Sequence, residues 1–193
     1  MYLKCMIFLD LDGVCCDYVI QVLNYHLKTE REYLKLLQDN PDDHPYKVLE
    51  DLIGVKDQNA YWDEVERYGV KYWSEMPVFD WFDHLYDELK KVSEVKFLTS
   101  APMMTTAHHG KAEWVKQNAG KDALYDLIIC PSPMKKFLAQ PGRVLIDDTK
   151  SNIIGWRENN GHAFHFPSLQ FFHRHPEDLD IIQAIEFARE HSK

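Results

Sequence analysis

The sequence carries no excess of positive charge, no long apolar run, no repeated unit and only four cysteines. Its 22 lysines and arginines stand against 31 aspartates and glutamates, a net charge of −9 over 193 residues. Non-specific binding to long nucleic acid is driven by phosphate neutralisation, so this balance argues against that function. It leaves room for a small phosphorylated substrate, which a few local cations can hold. No stretch approaches the ~18 consecutive apolar residues of a membrane span. The apolar run near the N-terminus is broken by Asp10 and Asp12, and no small-residue cleavage site follows, so a signal peptide is not expected. Cys5, Cys15, Cys16 and Cys130 lack paired metal-ligand spacing, and adjacent cysteines make a poor disulfide. Free thiols in a reducing cytoplasm are the expectation.

What is present is a globular composition, 45% hydrophobic and 27% charged. The length suits one core domain with a sizeable insertion, large enough to need no disulfide or structural-metal staple. Short β-like runs are expected at residues 5–11, 95–98, 127–130, 144–146 and 163–166, separated by helical patterns such as 82–92 and 111–118. A C-terminal helix is expected to bury a stripe of Leu179, Ile182, Ala184, Ile185 and Ala188. Strands alternating with helices imply parallel pairing, hence a three-layer α/β fold. The interval between the first two strands is too long for one crossover helix. Residues 18–77 therefore read as a mostly helical insertion over the sheet, broken near Asn40 and Pro45, with 1–17 and 78–193 as the core.

In an open parallel sheet, ligands bind beyond the carboxyl ends of the strands. Here the first strand ends in Asp10 and Asp12, the second in Thr99 and Ser100, and the fourth in Asp147 and Asp148, while Lys135 and Lys136 follow the third. This set suits phosphoryl transfer through an aspartyl-phosphate. One carboxylate attacks phosphorus, and another two residues on can protonate the leaving oxygen. Mg²⁺ on oxygen ligands would offset the repulsion between carboxylate and phosphate. Thr99 and a lysine can hold the non-bridging oxygens. Spacing does not decide between Lys135 and Lys136.

The segments Phe8-Leu9-Asp10-Leu11-Asp12-Gly13-Val14, Phe97-Leu98-Thr99-Ser100 and Val144-Leu145-Ile146-Asp147-Asp148, with a lysine near 135, resemble the haloacid dehalogenase (HAD) superfamily of phosphatases. The resemblance implies a HAD-like Rossmannoid sheet with a small helical cap after the first strand. It implies Asp10 as nucleophile, Asp12 as general acid and base, and Mg²⁺ on the Asp10 carboxylate, the Asp12 carbonyl and the Asp147-Asp148 pair. Asp17-Tyr18, the Thr99-Ser100-Ala101-Pro102 turn, His108-His109 and Lys111-Ala112-Glu113-Trp114-Val115 bring the chain closer to the 5′(3′)-deoxyribonucleotidases and their bacterial and phage relatives. That likeness implies Thr99, Ser100, Lys111 and Lys135 as phosphate ligands. It also implies that Tyr18 and Trp62, the latter in the last cap helix, stack on the base. The expected substrate is a deoxynucleoside monophosphate. Alternatives are another small phosphometabolite, a polynucleotide 3′-phosphate, or a nucleotide-binding module without turnover. Ordinary surface or packing roles are expected for His162, His165, His173 and His175, and helix capping for Thr149 and Ser151.

Overall fold

In the computed structural model, residues 5–169 and 174–192 are described. Among them, five parallel strands form one sheet, β1 (Met6–Leu9), β2 (Glu94–Thr99), β3 (Leu127–Ile129), β4 (Arg143–Asp147) and β5 (His162–His165), in the order β3-β2-β1-β4-β5. The α/β class expected from the alternation of strands and helices is the one observed. Alternation along β1 sorts the two faces. Ile7 and Leu9 join Val95, Phe97, Val144 and Ile146 in one apolar cluster, while Phe8 joins Leu98, Leu145 and Ala163 in another on the opposite face.

The second cluster is covered by α8 (Lys150–Glu158), whose Trp156 meets Phe8 edge-on with ring centroids 5.1 Å apart. The first takes in buried residues of α6 (Phe82–Val92), α7 (Thr105–Ala119) and α9 (Asp178–His191). Helix α9 departs from the expected stripe. It buries Ile181, Ala184, Ile185 and Ala188, whereas Leu179 and Ile182 are exposed, because the face that meets α6 and the sheet is rotated from the sequence reading.

Five helices lie between β1 and α6: α1 (Tyr18–Tyr25), α2 (Glu30–Asp39), α3 (Pro45–Ile53), α4 (Gln58–Tyr68) and α5 (Val70–Ser74). The starts of the first four are fixed by local capping. Asp17 caps α1, Thr29 and Glu32 form a capping box on α2, Pro45 occupies the first turn of α3 and Asp57 caps α4. Their buried side chains, among them Tyr33, Leu37, Val48 and Tyr61, belong to the same cluster as Ile7 and Leu9. Trp62 sits in α4, and α5 follows it, so it is not in the last inserted helix.

Strand β1 is shorter than expected because the chain folds back after Leu9. The amides of Val14, Cys15 and Cys16 all donate to the Leu11 carbonyl, at 3.2, 2.7 and 3.0 Å. Asp10 and Asp12 therefore leave the sheet on a tight loop. The register sets Leu9 beside Phe97 and Ile146, and the Asp10 amide donates to the Ile146 carbonyl at 3.0 Å, which brings Asp147 level with Asp10. No helix of the described residues is long and apolar enough to cross a membrane. All four cysteines are free.

Candidate active site

Asp10, Asp147 and Asp148 are buried at the carboxyl ends of β1 and β4, each with a carboxylate oxygen within 4.8 Å of the others. The Lys135 ammonium lies between two of them, 2.9 Å from Asp10 Oδ2 and 2.8 Å from Asp147 Oδ2. It comes from a 3-10 segment, Ser132–Leu138, where successive side chains diverge by about 120°. That divergence separates the two lysines. Lys135 enters the acidic cluster, while Lys136 lines a separate cavity with Ser132 and Glu158.

Three carboxylates share one buried ammonium, and the protonation balance reflects it. Burial, reinforced by Asp147 and Asp12, pushes the Asp10 carboxyl up to about 7 against the pull of Lys135. Asp148 is raised well above the usual carboxylate range, by burial first and then by Asp147 and Asp10. Burial works against the Lys135 charge, yet Asp10 and Asp147 outweigh it and hold the amine above the ordinary lysine value. An acidic cluster this short of positive charge, offering only hard oxygen donors, fits a divalent cation.

Each acid has its own support. Asp147 accepts from the Thr149 amide at 2.8 Å and from Asn152 Nδ2 at 3.1 and 3.0 Å, and Asn152 Oδ1 in turn accepts from Ser132 Oγ at 2.6 Å. Asp148 accepts from Ser168 Oγ at 2.9 Å, and its carbonyl is bonded to His165 Nε2 at 2.8 Å. His165 therefore braces the loop behind the acids, where an ordinary surface or packing role was expected. Thr149 stands at the start of α8, but its hydroxyl donates to Asp148 Oδ1 at 3.3 Å rather than capping the helix. His173 lies outside the described residues. Asn152 and Ser168 had no motif to mark them; Gly13 did, as part of Asp12-Gly13. It has φ +76°, and a Cβ there would approach Asp148 Oδ2 to 2.1 Å.

A second cation faces Asp12. Lys111, wholly buried on α7, pairs with Asp12 Oδ2 and donates to Thr99 Oγ1 at 2.9 Å and to the Ser100 carbonyl at 2.6 Å. Cys16 Sγ lies 3.7 Å from Asp12 Oδ1 as a weak donor, and Cys15 Sγ donates to the Asp10 carbonyl at 3.0 Å. Burial pushes both thiols well above the ordinary cysteine range, so neither serves as a nucleophile.

Asp12, Ser100 and Lys111 form the floor of a cavity of about 310 Å³ whose walls come from the inserted helices, through Tyr18, Tyr46, Trp62 and Trp73. The structure thus brings Tyr18 and Trp62 to the cavity that reaches Asp12, and adds Tyr46 and Trp73. An adjoining space of about 650 Å³ shares Trp62 and Pro102 and adds Asp63, Glu66 and Met103. His108 and His109 do not line either space; His108 Nδ1 bonds the Met104 carbonyl at 2.8 Å within α7.

Paired acids beyond a central parallel strand, a second acidic pair beside them and two buried lysines mark a phosphohydrolase of the HAD type. The sequence profile of the family described as 5′ nucleotidase, deoxy (pyrimidine), cytosolic type C protein (NT5C) matches residues 4–183, and the chain belongs to that family. It is accordingly a HAD-type phosphatase of the nucleotidase kind. Among solved structures, a HAD-like hydrolase from Xanthomonas campestris superposes with TM-score 0.56 at 10% identity, over 97% of this chain and 91% of that one. SP0104, a HAD-like hydrolase from Streptococcus pneumoniae, gives TM-score 0.55 at 19% identity over 93% and 90%. The HAD hydrolase YfnB from Bacillus subtilis, a structure bound to magnesium, gives 0.55 at 13% over 84% and 86%. At such identities these neighbours speak to the fold alone. A search of curated proteins finds no match.

Proposed function

We propose that the protein is a Mg²⁺-dependent phosphomonoesterase for nucleoside monophosphates, most simply 5′(3′)-deoxyribonucleotides, working in the cytoplasm through an aspartyl-phosphate on Asp10. The observation that carries this is the continuity of one cavity from Asp12 and Lys111 to a wall of four aromatic rings. Its volume of about 310 Å³ falls in the range of small-molecule sites, and its rings offer flat apolar faces to a base. Residues 18–77 act as the cap in this account.

An oxygen of the Asp10 carboxylate attacks phosphorus, and the bond from phosphorus to the nucleoside oxygen breaks. The proton carried by Asp12 passes to that leaving oxygen. Asp12, now a carboxylate, takes a proton from water; the hydroxyl attacks phosphorus, the Asp10–phosphorus link breaks and inorganic phosphate leaves. Thr99, Ser100, Lys111 and Lys135 hold the non-bridging oxygens as charge builds on them. Asp10, the Asp12 carbonyl, Asp147 and Asp148 would hold Mg²⁺, which when bound supplies the charge that offsets repulsion between carboxylate and phosphate.

Acid quenching during turnover of ³²P-labelled substrate tests the mechanism. Hydroxylamine-labile label on the protein, absent from Asp10→Asn, is the expected result. Full turnover by a folded Asp10→Asn protein would overturn it.

A further inference from the structure

Buried polar atoms in folded proteins nearly always have a hydrogen-bond partner. Among the described residues four such side-chain atoms lack one, and two of these, Trp73 Nε1 and Ser100 Oγ, belong to residues lining the same 310 Å³ cavity. Ser100 stands with the phosphate ligands. Trp73 is one of the four rings of the cavity wall, but its indole N–H has no role in the chemistry above. It is only 2% exposed, and its ring is held from several sides. Tyr18 stacks on it with centroids 6.0 Å apart, Tyr72 meets it edge-on at 5.1 Å, and a Cβ on Gly110 would come within 2.4 Å of its Cβ. A phenyl ring could fill most of this place without burying an unmet donor. The indole N–H can only donate, so what it lacks is an acceptor.

We propose that Trp73 Nε1–H is a specificity-determining donor to an oxygen of the substrate's sugar. The placement follows from Lys111, whose ammonium is 5.8 Å from the Trp73 ring centre while bonded to Thr99 and Ser100. Trp73 is thus next to the phosphate end of the cavity, and the part of a nucleotide that adjoins its phosphate is the sugar. The inference rests on the nucleoside monophosphate reading above and deepens it. A phosphoester without an oxygen there, such as an aryl phosphate, leaves the donor unmet in both ground and transition states.

Trp73→Phe keeps an aromatic ring and removes the N–H. The expected result is a fall of about tenfold in kcat/KM for deoxynucleoside 5′-monophosphates relative to p-nitrophenyl phosphate, the loss of roughly one hydrogen bond. Aryl phosphate turnover also reports that the variant folds. A second readout is the ¹⁵N indole spectrum of Asp10→Asn protein. The Trp73 N–H signal, assigned by its absence from the Trp73→Phe protein, should shift with a deoxynucleoside monophosphate and stay in place with inorganic phosphate. Equal losses on both substrate types, no loss on either, or an indole signal indifferent to the nucleotide would overturn the proposal. A wild-type protein that hydrolyses aryl phosphate but no nucleotide would instead overturn the reading on which it rests.

Discussion

Between Asp10 and Asp147 the Lys135 ammonium makes ion pairs of 2.9 and 2.8 Å with almost no solvent around them. Removing one partner from such a buried arrangement costs about 3–5 kcal/mol, because the remaining charges keep their desolvation penalty. Lys135→Met should lower the thermal midpoint in EDTA, and Mg²⁺ should raise that midpoint more in the variant than in the wild type, since binding to the native state stabilises it. Thermal denaturation with and without Mg²⁺ checks both. Equal Mg²⁺ responses would mean that the lysine and the cation do not share these acids. Gly13→Ala places a methyl group 2.1 Å from Asp148 Oδ2, at a φ of +76°. Steady-state assays should show about a 100-fold loss of kcat, the size of effect that ångström-scale misplacement produces. At this scale much was legible in the sequence. The acids and hydroxyls at strand ends announce themselves, because a parallel sheet delivers the carboxyl ends of its strands to one edge. The supports were not legible. Asn152, Ser168 and His165 reach the acids only through tertiary placement, and choosing Lys135 over Lys136 needs the 3-10 geometry.

Helix α1 begins at Asp17, whose carboxylate accepts from the Ile20 amide at 2.9 Å while itself buried. Burial raises its pKa above the ordinary value despite that bond. A carboxyl raised by folding costs stability as pH rises through the folded pKa and costs nothing below the unfolded value near 4. Asp17→Asn retains a capping acceptor and cannot ionise. Its stability relative to wild type should therefore increase as pH rises from about 4 and level off above the folded pKa. Urea denaturation across pH 4–8 would show this; a constant difference would contradict it. At the start of α2, Thr29 and Glu32 cap reciprocally on an exposed turn that does not line the cavity. Thr29→Ala should cost about 1 kcal/mol of stability and leave kcat unchanged. Within the insertion the sequence reading located the break near Asn40 and Pro45, which falls between α2 and α3. The rotation of α9 was not readable, since which of two adjacent isoleucines faces inward depends on where α6 and the sheet lie.

At the scale of the whole molecule, the inserted helices and one face of the sheet share an apolar core. Tyr33 and Tyr72 belong to the same buried cluster as Ile7 and Phe97. Helix α5 lies directly on α7, with Gly110 allowing the approach of Trp73 and the Val70 carbonyl, and Trp114 Nε1 donates to the Met76 carbonyl at 2.9 Å. The alternation of strands and helices predicts the sheet, but nothing in the sequence foretells that residues 18–77 would pack into its core. Unfolding should accordingly be a single transition, with calorimetric and van't Hoff enthalpies in agreement. Two resolved transitions would show the insertion to be an independent unit. Gly110→Ala should disturb both the α5–α7 contact and the cavity wall, lowering stability and raising KM for nucleotides together.

In the proposed reaction these acids and lysines hydrolyse a nucleotide whose nucleoside lies against the inserted helices. Phosphate release from a panel of 5′- and 3′-(deoxy)ribonucleoside monophosphates and sugar phosphates, with Mg²⁺ and with EDTA, tests it most directly. Release that requires Mg²⁺, is abolished by EDTA and is greatest on deoxynucleotides is expected. Release confined to sugar phosphates, or release undiminished by EDTA, would contradict it.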